Sequence, residues 1–200
     1  RGEAGGGTSG GGARRFGAWG VEDEGWMRSA EALYTERVLP ALQGSRAGAA
    51  DCPPAAAIPP ILHHIWLGSP LPPAFAALRQ GWLDMHPGWD ARLWDDAAVA
   101  AELEERPLAN AAAYAAAPNH GERSDILRLE LLQRYGGVYA DADFACVRPL
   151  PPLLRALRAA GCGFLCGVSN TPYYELNNGL VGSAPGHPFL AACVEAVRGG

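Results

Sequence analysis

The sequence contains no lysine, since all 16 of its basic residues are arginine. This absence removes the P-loop lysine, Schiff-base lysines and the lysine of aspartyl-phosphate phosphatases from consideration. No run approaches the about 18 to 20 unbroken apolar residues of a membrane-spanning helix. The net charge is −5, and a generic nucleic-acid binder would be basic. We therefore expect no nucleic-acid partner.

Cysteine is sparse, with five residues in 200. Cys162 and Cys166 lie in an expected strand, where their side chains point the same way but stand too far apart for easy bridging. No second pair of ligands has the spacing of a zinc site. We therefore expect buried thiols rather than a disulfide framework or a metal centre.

Composition predicts three regions along the chain. Residues 1–20 contain nine glycines, which is typical of a flexible linker. Residues 21–57 are expected to form an amphipathic helix, bent or ended by Pro40, and then a linker rich in proline and alanine. Residues 58–200 are the expected compact domain. Because the chain starts at Arg1 and stops at Gly200 directly after a helical pattern, we expect a piece of a longer protein, incomplete at its C-terminus.

Short apolar runs alternate with amphipathic helical patterns across the expected compact domain. Strands are expected at residues 61–67, 89–94, 138–140, 163–168 and 179–182. Helices are expected at residues 73–85, 96–105, 108–117, 122–135, 153–160 and 188–197. This alternation predicts an α/β fold with a central, mostly parallel sheet flanked by helices.

Two carboxylates, Asp141 and Asp143, directly follow the strand expected at residues 138–140. Ligands of open α/β sheets bind outside the carboxyl ends of the strands. An Asp-x-Asp pair there can reach one hard cation, and Mg²⁺ or Mn²⁺ prefers such oxygen ligands. Without further context, the pair would more often be a solvated turn. Gly136 and Gly137, however, lead the chain from a helix straight into this strand, so the sequence favours a divalent-cation site.

The preceding helix carries Asp125 and Arg128, which are three residues apart and share one face. They could form a surface ion pair that contributes well under ~1 kcal/mol. Alternatively, they could contact the hydroxyls and phosphates of a ligand held by the cation.

The first strand carries two histidines and ends near a tryptophan. Adjacent strand residues point to opposite faces, so His63 and His64 cannot easily share one metal ion. We expect both to be hydrogen-bonded core histidines. Trp66 could stack on a nucleobase or pack in the core.

Four segments together resemble the sugar-transferring glycosyltransferases with a DXD motif. This retaining family includes yeast Golgi α-1,6-mannosyltransferases, inositol phosphorylceramide mannosyltransferases and α-1,4-galactosyltransferases, with the clostridial glucosylating toxins as distant relatives. The segments are residues 58–68 (IPPILHHIWLG), 82–96, 124–147 (SDILRLELLQRYGGVYADADFACV) and the stretch NNGLVGSAPGHP that ends at residue 188.

The resemblance implies a GT-A-type nucleotide-sugar-binding fold and a divalent cation, usually Mn²⁺, with Mg²⁺ as the alternative. By this similarity, Asp143 would coordinate the cation directly. Asp141 would hold ribose or sugar hydroxyls and contact the cation through water. Asp125 and Arg128 match positions that grip the donor sugar.

Two further positions are implied by the same resemblance. Trp66 matches the tryptophan that stacks on the donor base, and Asn178 would approach the diphosphate or the acceptor. The family also draws active-site residues from beyond the point where this chain stops.

The expected activity is retaining transfer of a hexose from a nucleotide sugar, GDP-mannose or a UDP-hexose, to a glycan or glycolipid. Mannose is the first choice, with galactose or glucose as alternatives, and the Golgi or another endomembrane lumen is expected if an anchor lies upstream. A non-catalytic fragment that binds a nucleotide sugar or a glycan is the alternative. A haloacid-dehalogenase-type phosphatase is disfavoured, because its Asp-x-Asp strand opens the domain and a lysine follows it.

Overall fold

A computed structural model of the chain describes residues 32, 35–36, 39–43, 57–169 and 175–199. The linker expected over residues 1–20 and most of the segment 21–57 lie outside these residues, so the domain boundaries stay a prediction. The described part of that segment contains a short helix, α1 (Leu39–Leu42). This helix includes Pro40, which therefore does not end it.

Every strand and helix expected over residues 58–200 is present. The strands are β1 (Ile61–Ile65), β2 (Asp90–Trp94), β3 (Gly137–Ala140), β4 (Phe164–Ser169) and β5 (Glu175–Ser183). The helices are α2 (Pro73–Met85), α3 (Asp96–Glu105), α4 (Ala111–Ala116), α5 (His120–Tyr135), α6 (Pro151–Ala159) and α7 (Pro188–Gly199). Within the described residues, no helix is both long enough and apolar enough to cross a membrane.

Two boundaries differ from the sequence-based expectation by three residues or more. Strand β5 begins at Glu175 rather than at residue 179, because pairing with β4 extends it through a polar stretch. Helix α4 begins at Ala111 rather than at residue 108. The backbone N–H groups of Ala109 and Asn110 donate to the buried carboxylate of Glu130, at 3.0 and 2.7 Å. The first N–H groups of a helix have no acceptor within the helix, so a side chain from α5 satisfies the donors that directly precede α4.

The five strands form one sheet in the order β2-β1-β3-β5-β4. Strand β1 pairs in parallel with β2 and with β3, while β5 is antiparallel to both β3 and β4. Four strands therefore share one direction, which confirms a mostly parallel sheet. Because β5 runs the other way, its N-terminal half lies at the edge where β1 and β3 end.

Helices cover both faces of the sheet, and each face contributes to a separate core. Successive strand side chains point to opposite faces, so neighbouring residues of one strand enter different cores. The core on the α5 face includes Ile65, Trp94, Leu127, Leu131, Leu132 and Tyr139. The core on the α2 and α6 face includes Leu62, Trp82, Val138, Ala140 and Leu150.

Helix α5 has a defined start and a defined end. The side chain of Asn119 accepts from the backbone N–H of Glu122 at 2.9 Å and donates back to its carboxylate at 2.8 Å, which is a reciprocal cap. Gly136 ends the helix with φ 64° and Gly137 follows with φ 97°, the left-handed region that glycine tolerates best. Gly136 and Gly137 therefore lead the chain from α5 directly into β3, as the sequence predicts.

The two histidines of β1 differ in their hydrogen bonding. His63 Nδ1 accepts from the indole N–H of Trp94 at 3.0 Å, which leaves Nε2 to donate to the Gly136 carbonyl at 2.9 Å. His64 packs edge-on against Trp82, and neither of its ring nitrogens has a partner among the described residues. The expectation of hydrogen-bonded histidines is therefore right for His63 and wrong for His64. Burial lowers the pKa of each to about 4, so both are neutral at pH 7.

The described cysteines are less buried than expected. Cys146, Cys166 and Cys193 form no disulfide, which excludes a bond between Cys162 and Cys166. The three thiols are half-buried rather than fully buried, and partial burial raises the pKa of each.

Candidate functional site

A cavity of about 310 Å³ opens at the edge of the sheet where β1 and β3 end. Four of the predicted site residues line it, namely Trp66, Arg128, Asp141 and Asp143. The other two, Asp125 and Asn178, lie beside it and are bonded to Arg128. The structure therefore brings all six together.

The lining divides into two groups, which we call the aromatic end (Trp66, Phe75 and His120) and the charged end (Arg128, Tyr139, Asp141 and Asp143). Both ends draw on α5. His120 and Arg128 are separated by about two turns of that helix, or about 12 Å along its axis at 1.5 Å per residue.

Arg128 is the centre of the charged end, with only 7% of its side chain exposed. Its Nη1 donates to Asp141 Oδ1 at 3.1 Å and to the carbonyl oxygen of Asn178 at 2.7 Å. Its Nη2 lies 2.9 Å from Asp125 Oδ1, and its Nε donates to the Ser124 carbonyl at 3.3 Å. Arg128 and Asp125 therefore do not form an isolated surface pair, because the same guanidinium also joins α5 to β3 and β5.

Tyr139 supports this cluster from the sheet. Its ring is buried and lies under the Arg128 guanidinium, with Cζ 4.4 Å from the ring centroid. Its hydroxyl donates to Asp141 Oδ1 at 2.6 Å. Burial raises the pKa of Tyr139 well above its ordinary value, so the hydroxyl keeps its proton. Sequence reasoning missed this residue. The available signal was its position two residues before Asp141, which places both side chains on one face.

The start of β5 closes the charged end. Asn178 Nδ2 donates to Asp125 Oδ1 at 2.9 Å, so Asn178 contacts the cluster through both its side chain and its carbonyl. Asn177, which sequence reasoning also missed, accepts from the Gly179 N–H at 2.8 Å. The polar beginning of β5 therefore completes a hydrogen-bonded network around Arg128.

Asp143 differs from the other carboxylates of the cluster. It is exposed, lines the cavity and makes no hydrogen bond or ion pair with any described residue. The loop that carries it is fixed from the side of α2, where the indole N–H of Trp82 donates to the Phe144 carbonyl at 2.8 Å. Asp143 is therefore a carboxylate on a fixed loop, open to a ligand.

The donor set fits a divalent cation that shares its coordination with a ligand. Among the residues that the structure describes, no group of three or more histidine, cysteine, aspartate or glutamate side chains is arranged around one metal position. Asp141 and Asp143 offer two carboxylates to the same cavity. Mg²⁺ and Mn²⁺ accept one or two carboxylates and fill their other positions with water and substrate phosphates.

At the aromatic end, Trp66 is half-buried and packs against Phe75, with ring centroids 5.0 Å apart. Its indole N–H donates to Ser69 Oγ at 3.1 Å. His120 also lines this end and contacts Gly68, where an added Cβ would lie 2.2 Å from His120 Nε2. Sequence reasoning placed Trp66 at the site but missed Phe75 and His120.

Comparison with a solved structure defines the class of fold. The chain is similar to the PaToxG glycosyltransferase with a TM-score of 0.56 and 18% sequence identity, over 86% of this chain and 71% of that chain. The expected α/β glycosyltransferase fold is therefore confirmed.

Comparison with known sequences identifies the family. The family described as glycosyltransferase sugar-binding region containing DXD motif matches residues 72–159, a range that includes Asp141 and Asp143. The chain belongs to this family, which confirms the resemblance inferred from the sequence.

Two of the relatives are yeast proteins. The chain is 31% identical over 140 residues to inositol phosphoceramide mannosyltransferase 3 of Schizosaccharomyces pombe. It is 30% identical over 149 residues to the mannosyl phosphorylinositol ceramide synthase SUR1 of Saccharomyces cerevisiae. The matches cover 70% and 74% of this chain but only 37% of each relative.

Proposed function

We propose that this chain binds a nucleotide-sugar donor together with a divalent cation, and that the longer protein transfers a hexose from it to a glycolipid or glycan. The observation that supports this most is the pairing, in one cavity, of a half-buried tryptophan with a fixed cluster of carboxylates around Arg128. The names of the two yeast relatives favour mannose and an inositol phosphoceramide acceptor. Galactose and glucose are the alternative sugars.

In this proposal, Asp143 binds the cation directly and Asp141 contacts it through water. When bound, Mn²⁺ or Mg²⁺ supplies a Lewis acid that neutralises the charge developing on the leaving diphosphate. Asp143 suits the direct role because its carboxylate has no partner in the described residues. Asp141 suits the indirect role because its Oδ1 already accepts from Arg128 and Tyr139.

Arg128 orients other groups more than it contacts the donor. A guanidinium has five N–H donors, and contacts to Ser124, Asp125, Asp141 and Asn178 occupy four of them. One donor remains for the diphosphate or the sugar. Because Arg128 holds the carboxylates in place before the ligand arrives, the charged end does not reorganise during the reaction.

Asp125 is the group that we assign to the donor sugar. Half of its side chain is exposed (52%), while Arg128 and Asn178 fix one of its oxygens. The other oxygen can accept from sugar hydroxyls. Trp66 stacks on the base, as its place in the lining of the cavity favours. The acceptor hydroxyl attacks the anomeric carbon of the sugar from the face that the diphosphate leaves. The anomeric configuration is therefore retained without a covalent nucleophile.

A donor screen tests the proposal. The longer natural protein is incubated with GDP-mannose, UDP-galactose or UDP-glucose, with Mn²⁺, with Mg²⁺ and with chelator. We expect one donor to be consumed, and only in the presence of cation. Cation-dependent binding without consumption would favour the alternative of a non-catalytic nucleotide-sugar-binding protein. Absence of both would contradict the proposal.

The cellular setting is part of the same proposal. We place the activity in the Golgi or another endomembrane lumen if an anchor lies upstream of this chain. Family membership, together with the lack of lysine, disfavours the phosphatase alternative.

A further inference from the structure

Strand β5 passes against the cation-binding segment at a glycine. The backbone N–H of Asp141 donates to the carbonyl of Gly179 at 2.8 Å, and the N–H of Gly179 donates to Asn177 Oδ1 at 2.8 Å. Gly179 is itself buried. Strands β3 and β5 are therefore bonded at the point where the chain leaves the sheet carrying Asp141 and Asp143.

The space beside Gly179 is filled by three groups. A Cβ added there would lie 2.7 Å from Asp141 Oδ2, 2.8 Å from Phe144 Cζ and 2.9 Å from Asn177 Oδ1. Real Cβ atoms essentially never come that close to a heavy atom, so at least one group would have to move.

Each of the three groups is restrained. The carboxylate of Asp141 is held at Oδ1 by Arg128 and Tyr139, so Oδ2 cannot swing away without breaking those bonds. Phe144 packs against the core on the α2 face. Asn177 is held by its bond to Gly179. A side chain at position 179 would therefore press on the carboxylate itself.

We propose that Gly179 is a positioning residue for the cation: its missing side chain leaves Oδ2 of Asp141 in place and accessible. Oδ1 is committed to Arg128 and Tyr139, so Oδ2 is the oxygen left to meet the hydrated cation, and Gly179 is the residue that borders it. This inference rests on the proposed function and adds a requirement to its cation site.

Gly179→Ala tests the inference, with Gly182→Ala as a matched control. Gly182 lies on the same strand, and its added Cβ would be 2.9 Å from Leu165 Cγ, a similarly tight contact with an apolar side chain instead of Asp141. The Mn²⁺ concentration that gives half-maximal binding of GDP and of UDP is measured by calorimetry for each variant. Nucleotide affinity without cation and thermal melting are measured in parallel.

We expect Gly179→Ala to raise the Mn²⁺ midpoint by about 10- to 100-fold, the range for groups that orient a metal ligand. Affinity without cation should not change. Gly182→Ala should keep the wild-type midpoint even if its melting temperature falls. An unchanged midpoint in folded Gly179→Ala, or equal shifts in both variants, would overturn the inference.

The experiment also covers a Gly179→Ala variant that does not fold and a wild-type chain that does not bind nucleotide. If Gly179→Ala does not fold, the substitution is made in Phe144→Leu, which removes one of the three close contacts, and the midpoint is compared with that of Phe144→Leu alone. The same rise is expected, and no rise would overturn the inference. If the wild-type chain itself shows no cation-dependent binding of either nucleotide, the proposed function fails instead.

Discussion

At the charged end of the cavity, Arg128 ties α5, β3 and β5 together, and the contacting groups of Asp125, Asp141 and Asn178 are hydrogen-bonded or ion-paired before any ligand binds. At the aromatic end, Trp66 is held by one exposed hydrogen bond to Ser69 and by packing on Phe75. The charged end is thus part of the structure that holds the sheet edge together, whereas the aromatic end mainly presents a surface. Removing Arg128 at the charged end should therefore reduce both the free energy of unfolding and nucleotide affinity. Removing Trp66 at the aromatic end should reduce nucleotide affinity alone.

The largest effect is expected from Arg128→Ala. This variant leaves Asp125 and Asp141 without their counter-charge, and breaking a buried ion pair costs about 3–5 kcal/mol. Because both carboxylates are partly exposed, we expect a loss near the lower limit, about 3 kcal/mol, in the free energy of unfolding measured with urea.

The matched control for this variant is Arg198→Ala. Arg198 pairs with Glu195 at the same i,i+3 spacing, but both side chains are exposed. Exposed pairs contribute at most about 1 kcal/mol. Equal losses in the two variants would show that the charged end is an ordinary surface ion pair.

An intermediate effect is expected from Trp66→Ala. Loss of base stacking should weaken nucleotide binding by about 1–3 kcal/mol, with little change in stability because the side chain is half-buried. Trp94→Ala is the control, since Trp94 is a core residue with 6% exposure that does not line the cavity. It should lose about 3–5 kcal/mol of stability instead. Wild-type nucleotide affinity in folded Trp66→Ala would rule out stacking.

The smallest effect is expected from Asp125→Asn in the longer, active protein. This variant should change turnover and leave nucleotide affinity unchanged. A lost hydrogen bond to a sugar hydroxyl should slow turnover about tenfold, which corresponds to roughly 1.4 kcal/mol on the barrier. Affinity for the bare nucleoside diphosphate should stay the same, because that ligand has no sugar for Asp125 to hold. Steady-state kinetics and calorimetry check the two parts. A matching loss of nucleotide affinity would contradict the assignment of Asp125 to the donor sugar.

Sequence reasoning predicts the site residues that directly follow a strand better than it predicts contacts between distant elements. Asp141, Asp143 and Trp66 follow apolar strands, so local periodicity places them at one edge of the sheet. The contact between Arg128 and the carbonyl of Asn178 joins residues 50 positions apart and depends on the antiparallel pairing of β5. The run Asn177-Asn178-Gly179 has no apolar alternation, so its strand is not visible locally. The lack of hydrogen-bond partners at the His64 ring is likewise not visible in the local sequence, because it depends on the packing of Trp82 from α2 against that ring.

The central claim is that the cavity binds a nucleoside diphosphate through a cation held by Asp143. The direct measurement is calorimetric titration of GDP and UDP into the wild-type chain and into Asp143→Ala, each with Mn²⁺ and with chelator. The account predicts that Mn²⁺ strengthens binding in the wild-type chain and has no such effect in a folded Asp143→Ala variant. An equal Mn²⁺-dependent gain in both proteins would contradict it.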